Sequence, residues 1–594
     1  MKRRAADILF ETLASCGVNT CFAVPGGGAM HLDNALSLNN DIATYFNHHE
    51  QACSMAAEGY ARTSGKPALV CVTSGPGATN AITGVVGAYV DSIPMIVVSG
   101  QVRTDISVEA SGLPLRYRGV QEFDIIPSVR NMTKYAVTIK DPRAVKAEAL
   151  KAWSYATHGR RGPVWIEVPL DVSSAPIEED DLLEYVDTFE SLCPTDDEVK
   201  LVFDELDKAS RPCILAGSGI VSGNARGEFA ELIEKIKIPV VGGSQVADVL
   251  GNEHRYFYGL SGNSGPRTGN YILQNSDLIV AFADSLSFRQ TGFNQEAFAP
   301  HAKIIMVDAD EYESQKPGLR VSQTVLSDIK EFIATANRLD CKAESSNEWI
   351  AYCDKARSYF DPFEGKRGCS GDDRVSQYWF WQEYDRLAPD DAIVALGNNT
   401  AICAKLQVGK RTDAQRVIAN YASGSMGYDL PAAMGACIAT GREAVCATGD
   451  GSIMMNLQEL QTIAHNELPV KVIVFSNDGY GTVRRTIDNF FNSNYFGCSA
   501  DSGISFPDFE KIADAFGFEY MRCKTNSEID GKLSEFLNSP KRILMVVDEL
   551  MVDPLVPKLM SKQDADGIMH SPRLEEMYPF VSEEIAEEFM PEWE

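Results

Sequence analysis

Short runs rich in Val and Ile alternate along this chain with longer stretches whose apolar residues recur at helical spacing, a pattern that predicts parallel sheets covered by helices. In the first third the strand-like runs are ALVCVTSG (68–75), MIVVSG (95–100) and VWIEVPL (164–170). An acidic, helix-poor stretch, IEEDDLLEYVDTFESLCPTDDE, follows and reads as a linker. A second set comprises PCILAGSG (212–219), IPVVGG (238–243), LIVAFAD (278–284) and KIIMVDAD (303–310). The third starts near Asp391 with AIVALGNN, EAVCATGDGS, VKVIVFSNDGYG and RILMVVDE. Its runs end repeatedly in Gly, Asp or Asn, where open α/β sheets place their ligand-binding loops. The expectation is an α/β chain of three consecutive Rossmann-like or flavodoxin-like parallel-sheet domains, at 1–175, 190–340 and 365–560. The remaining segment, 561–594, differs: from Leu574 to Glu594 it holds eight Glu and no Lys or Arg, interleaved with Tyr578, Phe580, Phe589 and Trp593. It is expected to be an acidic tail, either solvated or laid as a cover over a neighbouring site.

Composition narrows the function classes. At 594 residues, 44% hydrophobic and 23% charged, the chain can build several ordinary globular cores. Lys plus Arg number 54 against 83 Asp plus Glu, a net charge of −29 that repels nucleic acid at long range. No run approaches the roughly 18 consecutive apolar residues of a membrane-spanning helix. The start, MKRRAADILFETLASCGV, is an amphipathic helix, because Asp7 and Glu11 interrupt its apolar positions. Fourteen Cys lie scattered, without zinc-ligand spacing, and read as reduced thiols of a cytoplasmic protein.

The segment Gly449–Gly481, GDGSIMMNLQELQTIAHNELPVKVIVFSNDGYG, carries the strongest chemical signal. A strand ends at Thr448, Gly449 and Gly451 admit close approach of a ligand, and Asp450 supplies a hard anionic oxygen. The next strand ends at Asn477, so neighbouring strand ends present Asp450 and Asn477 side by side. A carboxylate, an amide oxygen and a nearby backbone carbonyl at about 2.1 Å suit Mg²⁺, which fills its other positions with phosphate oxygens and water. Alone, a GDG triplet is equally a strand-to-helix turn. The second constellation is HHEQACSMAAEGYAR (48–62), with Glu50 opening a helix whose Ala52, Ala56, Ala57, Gly59 and Ala61 permit close packing against something flat or another helix.

Together these motifs resemble the thiamine diphosphate enzymes of the acetolactate synthase and 2-oxoacid decarboxylase type, over most of the chain. The resemblance implies a pyrimidine-binding first domain, a central domain and a diphosphate-binding third domain. It assigns Asp450, Asn477 and the Gly479 carbonyl to Mg²⁺, and turns Gly451, Ser452 and Gly481 toward the diphosphate. It makes Glu50 the carboxyl group that hydrogen-bonds N1′ of the aminopyrimidine, so that the 4′ nitrogen can take the C2 proton. Met426, in SGSMGYDLPAAMGA with Gly424, matches the bulky wedge beneath the cofactor, though a core Met would look the same. Pro25, Gly26 and Gly27 of VPGGG, Asn80 of SGPGATN and Gly397 match cofactor-side loops. Gln121 of VQEFD matches a glutamine near the reacting centre, where Gly27 would also face substrate.

The departures from the family pattern bear on substrate. Val120 stands where acetolactate synthases usually have phenylalanine. The stretch GMVxQW becomes GTVRRT, which removes a tryptophan at Thr486 and adds Arg484 and Arg485, two cations expected to meet an anionic acceptor. The diphosphate loop reads Gly397, Asn398, Asn399 in place of GQH. In the central domain RQTG (289–292) is similar to an R-x-TG stretch of members that include flavin binders, and bound FAD is not favoured. The resulting expectation is decarboxylation of a 2-oxoacid such as pyruvate, with transfer of the acyl-anion equivalent to a carbonyl acceptor. A non-oxidative decarboxylase is the alternative. An NAD-dependent dehydrogenase is weaker, since no strand leads into GxGxxG with an acid about 20 positions on. Glu50 and Asp450 lie in different domains and must touch one cofactor, and the resemblance implies that these domains meet across a subunit boundary, so a homodimer or homotetramer is expected.

Overall fold

The computed structural model describes residues 2–360, 373–398, 400–551, 553–563 and 568–590. It contains three six-stranded sheets, each parallel throughout. In the first, the strands run in space as Ala43–Phe46, Thr20–Val24, Ala68–Val72, Met95–Gln101, Pro163–Pro169 and Tyr135–Thr138. In chain order that is 2-1-3-4-6-5. The third sheet repeats the order with Arg416–Ala419, Ile393–Leu396, Ala444–Gly449, Val470–Ser476, Ile543–Asp548 and Glu519–Cys523. The central sheet differs, 3-2-1-4-5-6, from Phe257–Leu260 through Pro212–Ala216 to Val321–Leu326.

Helices cover both faces, which is why central strands such as Ala68–Val72 and Val470–Ser476 are buried at every position. In both 2-1-3-4-6-5 sheets the order reverses between the first and third strands, and such a switch point opens a crevice for a ligand at the strand C-termini.

The first and third units are joined through two helices, Glu50–Ser64 and Asp429–Thr440. A Cβ on Gly59 would collide with the backbone of Ala432, and one on Gly435 with the carbonyl of Ala56, so the axes approach at a distance only glycine allows. A buried ionic group seals the contact: Arg62 bonds Glu58 at 2.6 Å and also Asp91, while Asn420 Nδ2 donates to Glu58 Oε2 at 3.1 Å. Asn47 Nδ2 donates to Glu459 Oε2 at 2.8 Å across the same boundary.

The acidic C-terminal segment is not laid over the third unit's crevice; Glu583, Glu584, Glu587 and Glu588 face solvent while its apolar residues are anchored. Its described residues dock on the central unit, where Phe589 is fully buried against Tyr271 and Phe360. Arg267 Nη1 donates to the Met577 carbonyl at 3.1 Å, and Gln274 Nε2 to Glu575 Oε2 at 2.7 Å. Among the described residues no helix is long and apolar enough to cross a membrane.

Candidate active site

The third unit's crevice sits at its switch point, and every described residue that lines it comes from that unit. Thr448–Ser452, Met426, Asn398, Asn477, Gly479 and Gly481 all contribute. Asp450 is 2% exposed; its Oδ2 accepts from Asn477 N and Ser476 Oγ, both at 3.1 Å, and its Oδ1 from Gly451 N at 2.9 Å. Burial pushes its carboxyl up to about 6, against the pull of these donors. Asn477 donates through Nδ2 to Glu549 Oε2 at 3.2 Å, while its Oδ1 is buried with no hydrogen-bond partner. An unpaired buried acceptor beside a buried carboxylate is what a hard cation would satisfy, and the oxygen-only donor set fits Mg²⁺.

The turn after Asn477 is held by two arginines. Arg484 Nη1 and Nη2 donate to the carbonyls of Asn477 and Asp478 at 2.8 and 2.6 Å, and Arg374 Nη2 to that of Ser476 at 3.1 Å. Among the described residues, an arginine donates to each carbonyl from Ser476 to Asp478 and none to that of Gly479. Arg484 is thus 3% exposed and directed inward, away from the role at the site mouth that its position suggested. Arg485 bonds the Asp553 carbonyl at 2.6 Å, and its Nε is buried without a partner.

Gly451 lies against the Tyr480 ring, where a Cβ would collide. The Ser452 hydroxyl donates to Asp429 at 2.8 Å and accepts from Gly427 N at 2.9 Å, so it is committed within the protein. At the neighbouring strand end a Cβ on Gly397 would stand 2.6 Å from Asp429 Oδ2. Asn398 Nδ2 donates to the carbonyl of Gly424, itself at φ +59°, at 3.3 Å. Asn399 lies outside the described residues.

The first unit forms a second cluster, also at its switch point. Glu50 Oε2 accepts from Asn80 Nδ2 at 3.0 Å. A Cβ on Gly77 would stand 3.4 Å from Glu50 Oε1, and one on Gly26 2.6 Å from Thr73 Cβ, so the two Gly loops and Glu50 converge around Thr73. Gly26 N is fixed by Asp33 at 3.1 Å; Pro25 and Gly27 stand exposed beside it. Gln121, at φ +59°, presses its carbonyl on Gly75 and is exposed, next to Val120 at 84% exposure. The structure therefore brings Glu50, Asn80, Gln121 and the Gly26–Gly27 loop together, and separately Asp450, Asn477, Gly479 and Met426. None of the first group lines the third unit's crevice.

Among the lining residues not singled out from the sequence are two with buried polar side chains beside the metal turn. Glu549 and Gln377 are 3% and 2% exposed, and Gln377 Nε2 donates to Glu549 Oε1 at 2.9 Å. Burial, with Asp553 and Asp450 nearby, pushes the Glu549 carboxyl up to about 8. The available signal was its place at the end of RILMVVDE, the strand beside that of Asn477.

Three family models match the chain: the thiamine pyrophosphate enzyme N-terminal TPP-binding domain over residues 3–126, the central domain over 199–335 and the C-terminal TPP-binding domain over 395–547. Acetolactate synthase isozyme 1 large subunit of Escherichia coli K12 is 30% identical over 562 residues, covering 93% of this chain and 95% of its own. Isozyme 2 large subunit of the same strain is 31% identical over 559 residues, with 93% and 97% covered. Acetolactate synthase 3, chloroplastic, of Brassica napus is 32% identical over 573 residues, with 93% and 85% covered.

Proposed function

The chain belongs to the thiamine pyrophosphate enzyme family, and from that premise we propose that it is a Mg²⁺-dependent carboligase of the acetolactate synthase type. It would decarboxylate a 2-oxoacid such as pyruvate and transfer the acyl-anion equivalent to a carbonyl acceptor. The observation that carries this reading is the buried Asp450 carboxylate beside the unpaired Asn477 Oδ1, at adjacent strand ends.

Bound thiamine diphosphate supplies a nucleophilic carbon and an electron sink for decarboxylation. The protein's part is to place it. Asp450, Asn477 Oδ1 and the Gly479 carbonyl would hold Mg²⁺ against the diphosphate, with the amides of Ser452 and Gly481 as further donors and Gly451 admitting close approach. Glu50, oriented by Asn80, would hold and return the proton at the aminopyrimidine N1′. Met426 would support the cofactor from the crevice wall, and Gln121 and Gly27 would face the reacting carbonyl. No redox cofactor is needed, because decarboxylation followed by addition to a carbonyl leaves no electrons over, and FAD has no assigned step. Arg485 bonds the Asp553 carbonyl and does not line the crevice, so an anionic acceptor rests on its sequence position alone.

Since no first-unit residue lines the crevice, a site with both Glu50 and Asp450 is completed by a second copy, as a homodimer or a pair of such dimers. The test is incubation with thiamine diphosphate, Mg²⁺ and ¹³C-pyruvate, with and without carbonyl acceptors, read by NMR. A labelled two-carbon adduct is expected. Acetaldehyde alone would mark a decarboxylase, and unchanged pyruvate would refute the donor assignment.

A further inference from the structure

We infer that Glu549 is a positioning residue for the metal ligand Asn477, holding that amide in the one orientation that turns its oxygen toward Asp450. The inference rests on the proposed Mg²⁺ site. An asparagine amide is nearly symmetric in shape, and either its oxygen or its nitrogen can point into a cavity unless a partner distinguishes them. Here the partner is a carboxyl group: Glu549 Oε2 takes Asn477 Nδ2 at 3.2 Å, and Oδ1 is left buried and unpaired. Glu549 is itself over-determined. Its backbone N donates to the Ser476 carbonyl at 2.9 Å, and its Oε1 accepts from Gln377 Nε2 at 2.9 Å. The backbone N of Gln377 donates in turn to Asp553 Oδ2 at 2.8 Å. The chain of contacts Asp553–Gln377–Glu549–Asn477 thus runs from the strand end at Asp548 to the metal turn, and every side chain in it except Asn477 is nearly fully buried.

With an apolar residue at 549, Asn477 Nδ2 loses its acceptor, and the amide can turn that nitrogen toward the cation. Loss of an outer-shell partner of this kind weakens metal binding by about 10- to 100-fold. Glutamine at 549 is different. Its carbonyl can still accept from Asn477 Nδ2, and its new NH₂ can donate to Gln377 Oε1, which is buried without a partner, once the Gln377 amide rotates.

The experiment titrates Mn²⁺ into the full-length protein with saturating thiamine diphosphate, reading free Mn²⁺ by EPR, for the parent, Glu549→Leu, Glu549→Gln and Asn477→Ala, with a thermal melt of each metal-free protein. Glu549→Leu is expected to bind Mn²⁺ 10- to 100-fold more weakly, and Glu549→Gln within about threefold of the parent. Parent-like affinity in Glu549→Leu beside weak binding in Asn477→Ala overturns the positioning role alone. Parent-like affinity in both overturns the metal assignment with it. Equal weakening in the Leu and Gln variants, or a matching fall in both melting temperatures, marks a structural carboxyl and also overturns the inference.

Discussion

Mixing two inactive variants tests the shared site directly. Glu50→Gln lesions the first-unit cluster and Asp450→Ala the third-unit crevice, and the two sets of residues do not line a common cavity within one chain. If each site takes its first unit from one copy and its third from the other, a heterodimer of the two variants has both lesions in one site and none in the second. Random exchange of equal amounts gives about half heterodimers, each with one working site of two, so activity should return to about one quarter of the parent value. Heterodimers purified through two different tags should reach about one half. Surface chemistry favours such pairing: Val120 beside Gln121 is 84% exposed, Tyr117 70%, and Phe496, in the loop after the helix that starts at Gly481, 87%. Apolar side chains this exposed around both half-sites would each gain about 1.5–3 kcal/mol if the proposed second copy buried them fully. The assay is ¹⁴CO₂ release from pyruvate after subunit exchange, with heterodimer content followed by native mass spectrometry. Confirmed heterodimers that release no CO₂ would refute the shared site and require each chain to complete its own.

Asp450→Ala should weaken Mg²⁺-dependent thiamine diphosphate binding by more than about 100-fold, beyond the cost of an outer-shell loss, with the melting temperature held, since the residue sits on a strand-end turn; calorimetric titration reads it. Glu167 is 3% exposed, held by Thr138 Oγ1 and Gln101 Nε2, and burial pushes its carboxyl from 4.5 up to about 7. A raised acid stabilises the fold below its unfolded value and loses that contribution as pH climbs to about 7, so Glu167→Gln should gain up to about 3 kcal/mol relative to the parent between pH 4.5 and 7, checked by denaturant unfolding at several pH values. Gly435→Ala would stabilise an exposed helix by about 1 kcal/mol, but here the methyl meets the Ala56 carbonyl, and overpacking of about 1–3 kcal/mol should reverse the sign; a higher unfolding midpoint would contradict the packing.

The strands were legible because parallel strands buried on both faces read as unbroken Val/Ile runs, and the 27 positions from Asp450 to Asn477 fit one helix between neighbouring strands. Sheet order was not legible, since periodicity says which residues are buried and nothing about which strand lies beside which. The sequence points Arg484 toward an anionic acceptor at the site mouth, whereas it donates to the carbonyls of Asn477 and Asp478; that demand for donors is invisible until the turn is folded. Glu549 escaped notice because its partners Asn477 and Gln377 are remote in sequence. The tail's eight Glu suggested solvation, while the residues that anchor it, Leu574, Met577 and Phe589, find their pockets some 300 positions upstream, on Asn270 and Asn275.

The small residues after Glu50 left two readings open, a flat ligand or another helix, and the packing decides between them. From Ala52 to Ala61 every residue of that helix is buried, and the neighbour that excludes a Cβ at Gly59 is the backbone of Ala432, on a helix with its own Ala432, Ala433, Gly435 and Ala436. The small side chains therefore serve helix contact, and only the N-terminal residue of the helix is left to face the Gly loops. The Asn80 contact fixes the rotamer of the carboxyl group at that end. Anchoring the rest of the helix to the third unit gives Glu50 a rigid mount, so that in the proposed reaction proton transfer would depend on subunit placement instead of loop motion.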